Sequence, residues 1–66
     1  MSALTEQTRD EMRELIARYP EPRSALLPML HLVQSYEGYV TPAGIEMCAE
    51  ELDITAAEVT AVATFY

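Results

Sequence analysis

The sequence predicts an all-α chain folded as a small four-helix bundle, and three observations carry that prediction. Apolar residues recur at i, i+3, i+4 and i+7 along nearly the whole chain, which is the spacing of one helix face. Start and stop signals interrupt the pattern at Tyr19-Pro20-Glu21-Pro22, between Gly38 and Pro42, and at Thr55. Half of the 66 residues are apolar and only 23% are charged, a composition that folds, while the length allows one domain at most, spanning residues 1–66.

The first helix is predicted over residues 5–18. Met12, Leu15, Ile16 and Tyr19 form its inward stripe, and Glu6 and Asp10 suit its start because a helix amino terminus favours negative charge. Pro20 disfavours helical geometry at Tyr19 and ends it. A second helix is predicted over residues 24–37, with Ser24 as its amino-terminal cap and Pro28 near its fourth position, where a missing amide gives up at most one backbone bond. Leu26, Met29, Leu30, Val33 and Tyr36 make one stripe while Leu27 and Leu32 face elsewhere. A helix apolar almost all round is expected to be the most buried element. Gly38 suits the left-handed position past its end, with Tyr39 packing back on the last turn.

Thr41-Pro42 pairs a cap with a proline in the first helical position and opens a third helix, residues 42–52. Ile45, Cys48, Ala49 and Leu52 are its inward face, with Glu46, Glu50, Glu51 and Asp53 mostly outside. Thr55-Ala56-Ala57-Glu58 reads as a capping box that opens a fourth helix, residues 56–65, with Val59, Val62 and Ala63 inward. No stop signal follows, and the aromatics Phe65 and Tyr66 stand at the end of the sequence, so the chain is expected to be the front piece of a longer protein.

Eleven acids against four arginines and no lysine give a net charge of −7, which repels the backbone of nucleic acids. The arginines all lie in the first 23 residues beside five acids; residues 24–66 hold six acids and no base. A single cysteine provides neither an internal disulfide nor the thiols of a zinc or iron–sulfur site within these 66 residues, and a reducing compartment fits that usage. The polar, acidic start is unlike a secretory signal or a mitochondrial presequence. The longest uncharged run, Ser24 to Tyr36, is broken by Pro28 and falls short of the ~20 residues that cross a bilayer, so a soluble domain without direct membrane insertion is expected.

Few residues suggest chemistry. Cys48 is placed as buried filler, since no cation stands near it at mid-helix to favour a thiolate. His31 lacks the second histidine or spaced carboxylate of a metal site and reads as a packed or hydrogen-bonded side chain. Glu46, Glu50 and Asp53 share one helix face and read as a solvated acidic surface. The third and fourth helices have the spacing of a helix-turn-helix unit, which keeps a DNA-binding regulator as an alternative. The would-be recognition helix, however, holds one glutamate and no side chain suited to phosphates or guanine edges.

Arg18-Tyr19-Pro20, the Ser24 to Gln34 segment SALLPMLHLVQ, Gly38-Tyr39, Thr41-Pro42 and the closing Val62 to Tyr66 segment VATFY together resemble the amino-terminal helical region of the NuoE family of respiratory NADH-quinone oxidoreductase (complex I) subunits. The match covers roughly residues 8–66. Related subunits of NAD-linked hydrogenases and formate dehydrogenases share the region and remain alternatives. The resemblance implies a helical part followed by a thioredoxin-like domain that these residues do not include, whose cysteines hold a [2Fe-2S] cluster. Cys48 matches none of those ligands, so no catalytic, cofactor or metal residue is carried over. It also implies a docking and positioning module, without chemistry of its own, held against the flavin- and NADH-binding subunit and against its own thioredoxin-like domain. Such a module would be cytoplasmic and peripheral on the inner face of the plasma membrane. Tyr36, Tyr39, Phe65 and Tyr66 are the candidate partner-binding residues.

Overall fold

The computed structural model describes residues 4–64, apart from the Pro22 side chain; the expectations for Phe65 and Tyr66 fall outside the described residues. Four α-helices follow one another: α1 (Glu6–Arg18), α2 (Leu26–Glu37), α3 (Pro42–Leu52) and α4 (Ala56–Thr64), with a 3-10 turn at Pro22–Ala25 before α2. The described residues contain no strand. None of their helices is long and apolar enough to cross a membrane.

Each boundary has a local cause. Thr5 is extended, and its N–H donates to Thr8 Oγ1 at 3.1 Å, satisfying an amide at the start of α1. Tyr19, ahead of Pro20, is extended again and ends the helix. Gly38 takes φ 87, the left-handed conformation that its missing Cβ permits, and its N–H closes on the Gln34 carbonyl at 2.8 Å. Thr41 Oγ1 accepts the Gly44 N–H at 3.1 Å with Pro42 in the first turn. At α4 the capping box forms as the sequence predicts: Thr55 Oγ1 accepts from the Glu58 N–H at 3.1 Å, and Glu58 Oε1 accepts from the Thr55 N–H at 3.4 Å.

One terminal detail differs from expectation. Ser24 does not cap α2. The chain enters a 3-10 turn at Pro22, the Ser24 N–H bonds to the Glu21 carbonyl at 3.0 Å, and the α-helix begins only at Leu26 behind an already helical Ala25. A capping side chain needs non-helical backbone at its own position, and the proline-led turn removes it. Pro28 therefore sits third in α2, among the amides a helix leaves unbonded at its start. Asp53 stops α3 in the left-handed conformation, φ 56, a place that glycine usually fills.

Both α2 and α3 touch each of the other helices. Leu26, Met29, Leu30 and Val33 are buried, and they meet Met12 from α1, Cys48 and Leu52 from α3, and Val59 from α4. The approach of α2 to α3 depends on Gly44, where a Cβ would overlap Val33 Cγ1. The inward face of α3 includes Gly44 and Met47, with Ile45 only partly buried, because the close approach at Gly44 rotates the stripe away from Ile45. On α1, Thr8 is fully buried while Tyr19 stays 37% exposed, since the proline turn carries it off the helix before it reaches the core.

Candidate functional site

The described residues present open surface grooves and a set of cross-helix side-chain pairs. Tyr36, on α2, is partly buried and donates its hydroxyl to Glu11 Oε1 on α1 at 2.6 Å, which ties the two helices along one edge. That bond keeps the phenol protonated and raises its pKa above the ordinary value, because the Glu11 carboxylate disfavours a second negative charge beside it. Tyr39, in the turn before α3, is 63% exposed; it does not lie back on α2, since the left-handed Gly38 directs the chain away from the helix. Of the four candidate partner residues, Tyr36 and Tyr39 are thus two side chains of different character, one anchored and one presented.

An open groove between α1 and α2 is lined by Glu11, Glu14, Leu15, Arg18 and Leu32. Its two leucines are partly buried against the core. A second groove, lined by Glu46, Ala49, Glu50, Asp53, Ile54 and Ala56, runs along α3 toward the start of α4.

The acidic face of α3 is more than a solvated surface. Arg9 donates to Glu51 Oε2 at 2.9 Å and to Glu50 Oε1 at 2.7 Å, and Arg13 donates to Glu51 Oε1 at 2.8 Å. Arg23 reaches Glu58 across to α4. Arg13 and then Arg9 pull the Glu51 carboxyl below its ordinary pKa, as Arg23 does for Glu58. Helical spacing assigns each charge to its own helix and does not show these cross-helix pairs. The signal that could have found them is the segregation itself: all bases in the first 23 residues, and only acids after them.

Cys48 is buried where it was expected, and burial pushes its thiol up to about 11. His31 is exposed on α2 but not without an interaction, and it lies outside the core because the buried stripe of that helix runs through Met29, Leu30 and Val33. Among the described residues no three histidine, cysteine or acidic side chains gather where they could hold a metal ion.

Against known proteins, residues 12–66 match the family described as thioredoxin-like [2Fe-2S] ferredoxin. The chain is 59% identical over 56 residues to the NADH-quinone oxidoreductase E subunit of Mycobacterium tuberculosis H37Rv, which covers 85% of the chain and 22% of that protein. It is 41% identical over 59 residues to the NADH-quinone oxidoreductase subunit 2 of Thermus thermophilus, 86% of the chain and 33% of that protein. With the NADH-quinone oxidoreductase E subunit of Escherichia coli K12 it shares 35% identity over 63 residues, 96% of the chain and 38% of that protein. The chain therefore spans less than two-fifths of the length of each of these curated relatives.

Proposed function

The chain belongs to the thioredoxin-like [2Fe-2S] ferredoxin family, and from that premise we propose that it is a docking and positioning module of a NuoE-type subunit of NADH-quinone oxidoreductase, seated against the flavin subunit that oxidises NADH. The observation that carries this reading is the 59% identity to a protein named as that subunit over 85% of the chain. A [2Fe-2S] cluster in this family needs a set of thiolates. The single, buried Cys48 does not fit that donor set, so these residues hold no cluster by themselves and serve the domain that does. The four helices act as one unit with no reaction of their own, and the work is contact: Tyr39, Phe65 and Tyr66 meet neighbouring protein, and Tyr36 braces the α1–α2 edge. The unit sits on the cytoplasmic face, peripheral to the membrane, as part of an electron-transport complex. None of the relatives compared above is a DNA-binding regulator, so no second reading is carried forward.

The test is co-expression of the chain with the flavin- and NADH-binding subunit of the complex, followed by gel filtration. Co-elution that weakens when Tyr39 is replaced by alanine is the expected result. A chain that runs alone in every buffer overturns the reading.

A further inference from the structure

One motif is left unused by the packing, Arg18-Tyr19-Pro20 at the end of α1. Arg9, Arg13 and Arg23 are all engaged with carboxylates of the later helices, whereas Arg18 has no carboxylate partner among the described residues. Arg18, the last residue of α1, lines the α1–α2 groove together with Glu11, Glu14 and two leucines, Leu15 and Leu32, that are partly buried against the core. Glu11 is held in place there by the Tyr36 hydroxyl. The groove thus combines apolar, acidic and basic lining, with its base at the end of α1, in a chain of net charge −7 that repels anionic lipid and nucleic acid alike.

We propose that the α1–α2 groove receives a cationic amphipathic helix of a partner polypeptide, its apolar face on Leu15 and Leu32 and its lysines or arginines against Glu11 and Glu14. The positive end at Arg18 sets the direction, since the partner's cations must lie away from it. The groove along α3 carries acids as well but is a weaker host on its apolar side, where Ala49, Ile54 and Ala56 offer less than two leucines. The inference rests on the docking reading above and adds to it which face is used and what chemistry fills it.

The test is a titration of the isotopically labelled chain, followed by amide NMR shifts, with a short synthetic helix of leucine and lysine, and with its leucine–glutamate counterpart as control. Shifts confined to Glu11, Glu14, Leu15, Arg18 and Leu32, fading as salt is added, are expected. Leu32→Glu is expected to weaken binding at least about tenfold, the scale of one leucine's lost burial. Glu14→Lys, on an exposed position, does the same without touching the core and serves if the first variant unfolds. Equal binding of the control helix, shifts centred on Glu46 to Asp53, or no shifts at all overturn the proposal. A chain that co-elutes with the flavin subunit yet ignores both substitutions rejects the groove and keeps the docking reading; a groove that binds the lysine helix without that co-elution rejects the flavin partner alone.

Discussion

Arg9 and Glu51 lie 42 positions apart in the chain and meet at 2.9 Å, joining α1 to α3. The second Glu51 oxygen accepts from Arg13 at 2.8 Å, so one carboxylate serves two cations. Its side chain keeps only 10% of its exposure, which sets it apart from the ordinary surface pair. The same interaction joins the mixed-charge start of the sequence to its purely acidic remainder.

Replacing Glu51 by glutamine leaves two arginines without their shared anion. A loss on the order of 1 kcal/mol is expected, the upper end for partly exposed pairs, and with it a melting temperature lower by about 4–8 °C. Because Arg13 and Arg9 lower the folded pKa of Glu51, its contribution is complete above the ordinary carboxyl value of 4.5 and is lost as pH falls through the lowered one. Melts followed by circular dichroism from neutral pH to pH 3 therefore drop below about pH 4.5 in the natural sequence and drop less in the variant. Identical acid profiles for the two would show that the clamp contributes nothing.

Gly44→Ala addresses the α2–α3 contact. A methyl group there overlaps Val33 Cγ1, so the Val33 side chain or the helices themselves must shift to admit it. Alanine favours helix over glycine, so propensity alone predicts stabilisation. Overpacking is the larger effect, and a net loss of about 1–3 kcal/mol is expected in urea titrations. The double change Gly44→Ala with Val33→Ala relieves the overlap and recovers part of that loss; a stabilised single variant would contradict the geometry.

Much of the architecture was legible because the signals were local. Thr41-Pro42, Gly38 and the Thr55-to-Glu58 box each fix a boundary through hydrogen bonds within a few residues, and all three stand where the sequence puts them. Ser24 misled because its role depends on what Pro22 does two residues earlier. Tyr19 misled because the proline turn carries it off α1, and Ile45 because helical spacing gives a stripe but not its rotation, which Gly44 sets by letting Val33 in. The arginine clamps were out of reach of any single-helix reading, since their partners are 35 to 42 positions away.

Cys48 provides a reporter of unfolding. Its burial predicts that a disulfide reagent reacts slowly with the native chain and quickly in denaturant, with the native rate set by opening of the bundle. The thiol is raised from 9.0 to about 11, so the neutral form stabilises the fold fully below pH 9 and that contribution is lost as pH rises through about 11. Prompt labelling at neutral pH without denaturant would show that the helices packed against α3 do not cover the sulfur.

The two described aromatics of the candidate docking surface separate stability from contact. Tyr39 is 63% exposed, so Tyr39→Ala should change folding stability by no more than about 0.5 kcal/mol. If its ring anchors the interface, the same change weakens binding to the flavin subunit by about 2 kcal/mol, close to thirtyfold in Kd. Tyr36→Phe should behave in the opposite way. It removes the bond to Glu11, lowers the melting temperature, and abolishes the part of the alkaline instability that comes from Tyr36. That part has a definite sign: the raised folded pKa makes the protonated phenol stabilising below its ordinary value of 10.0, an effect lost at higher pH. Binding should fall in Tyr36→Phe only as far as α1 and α2 loosen, and a temperature low enough to keep the variant fully folded should restore it. Equal binding losses for the two variants at that temperature would place Tyr36 in the interface itself, whereas a loss for Tyr39→Ala alone assigns it the supporting role that its bond to Glu11 implies.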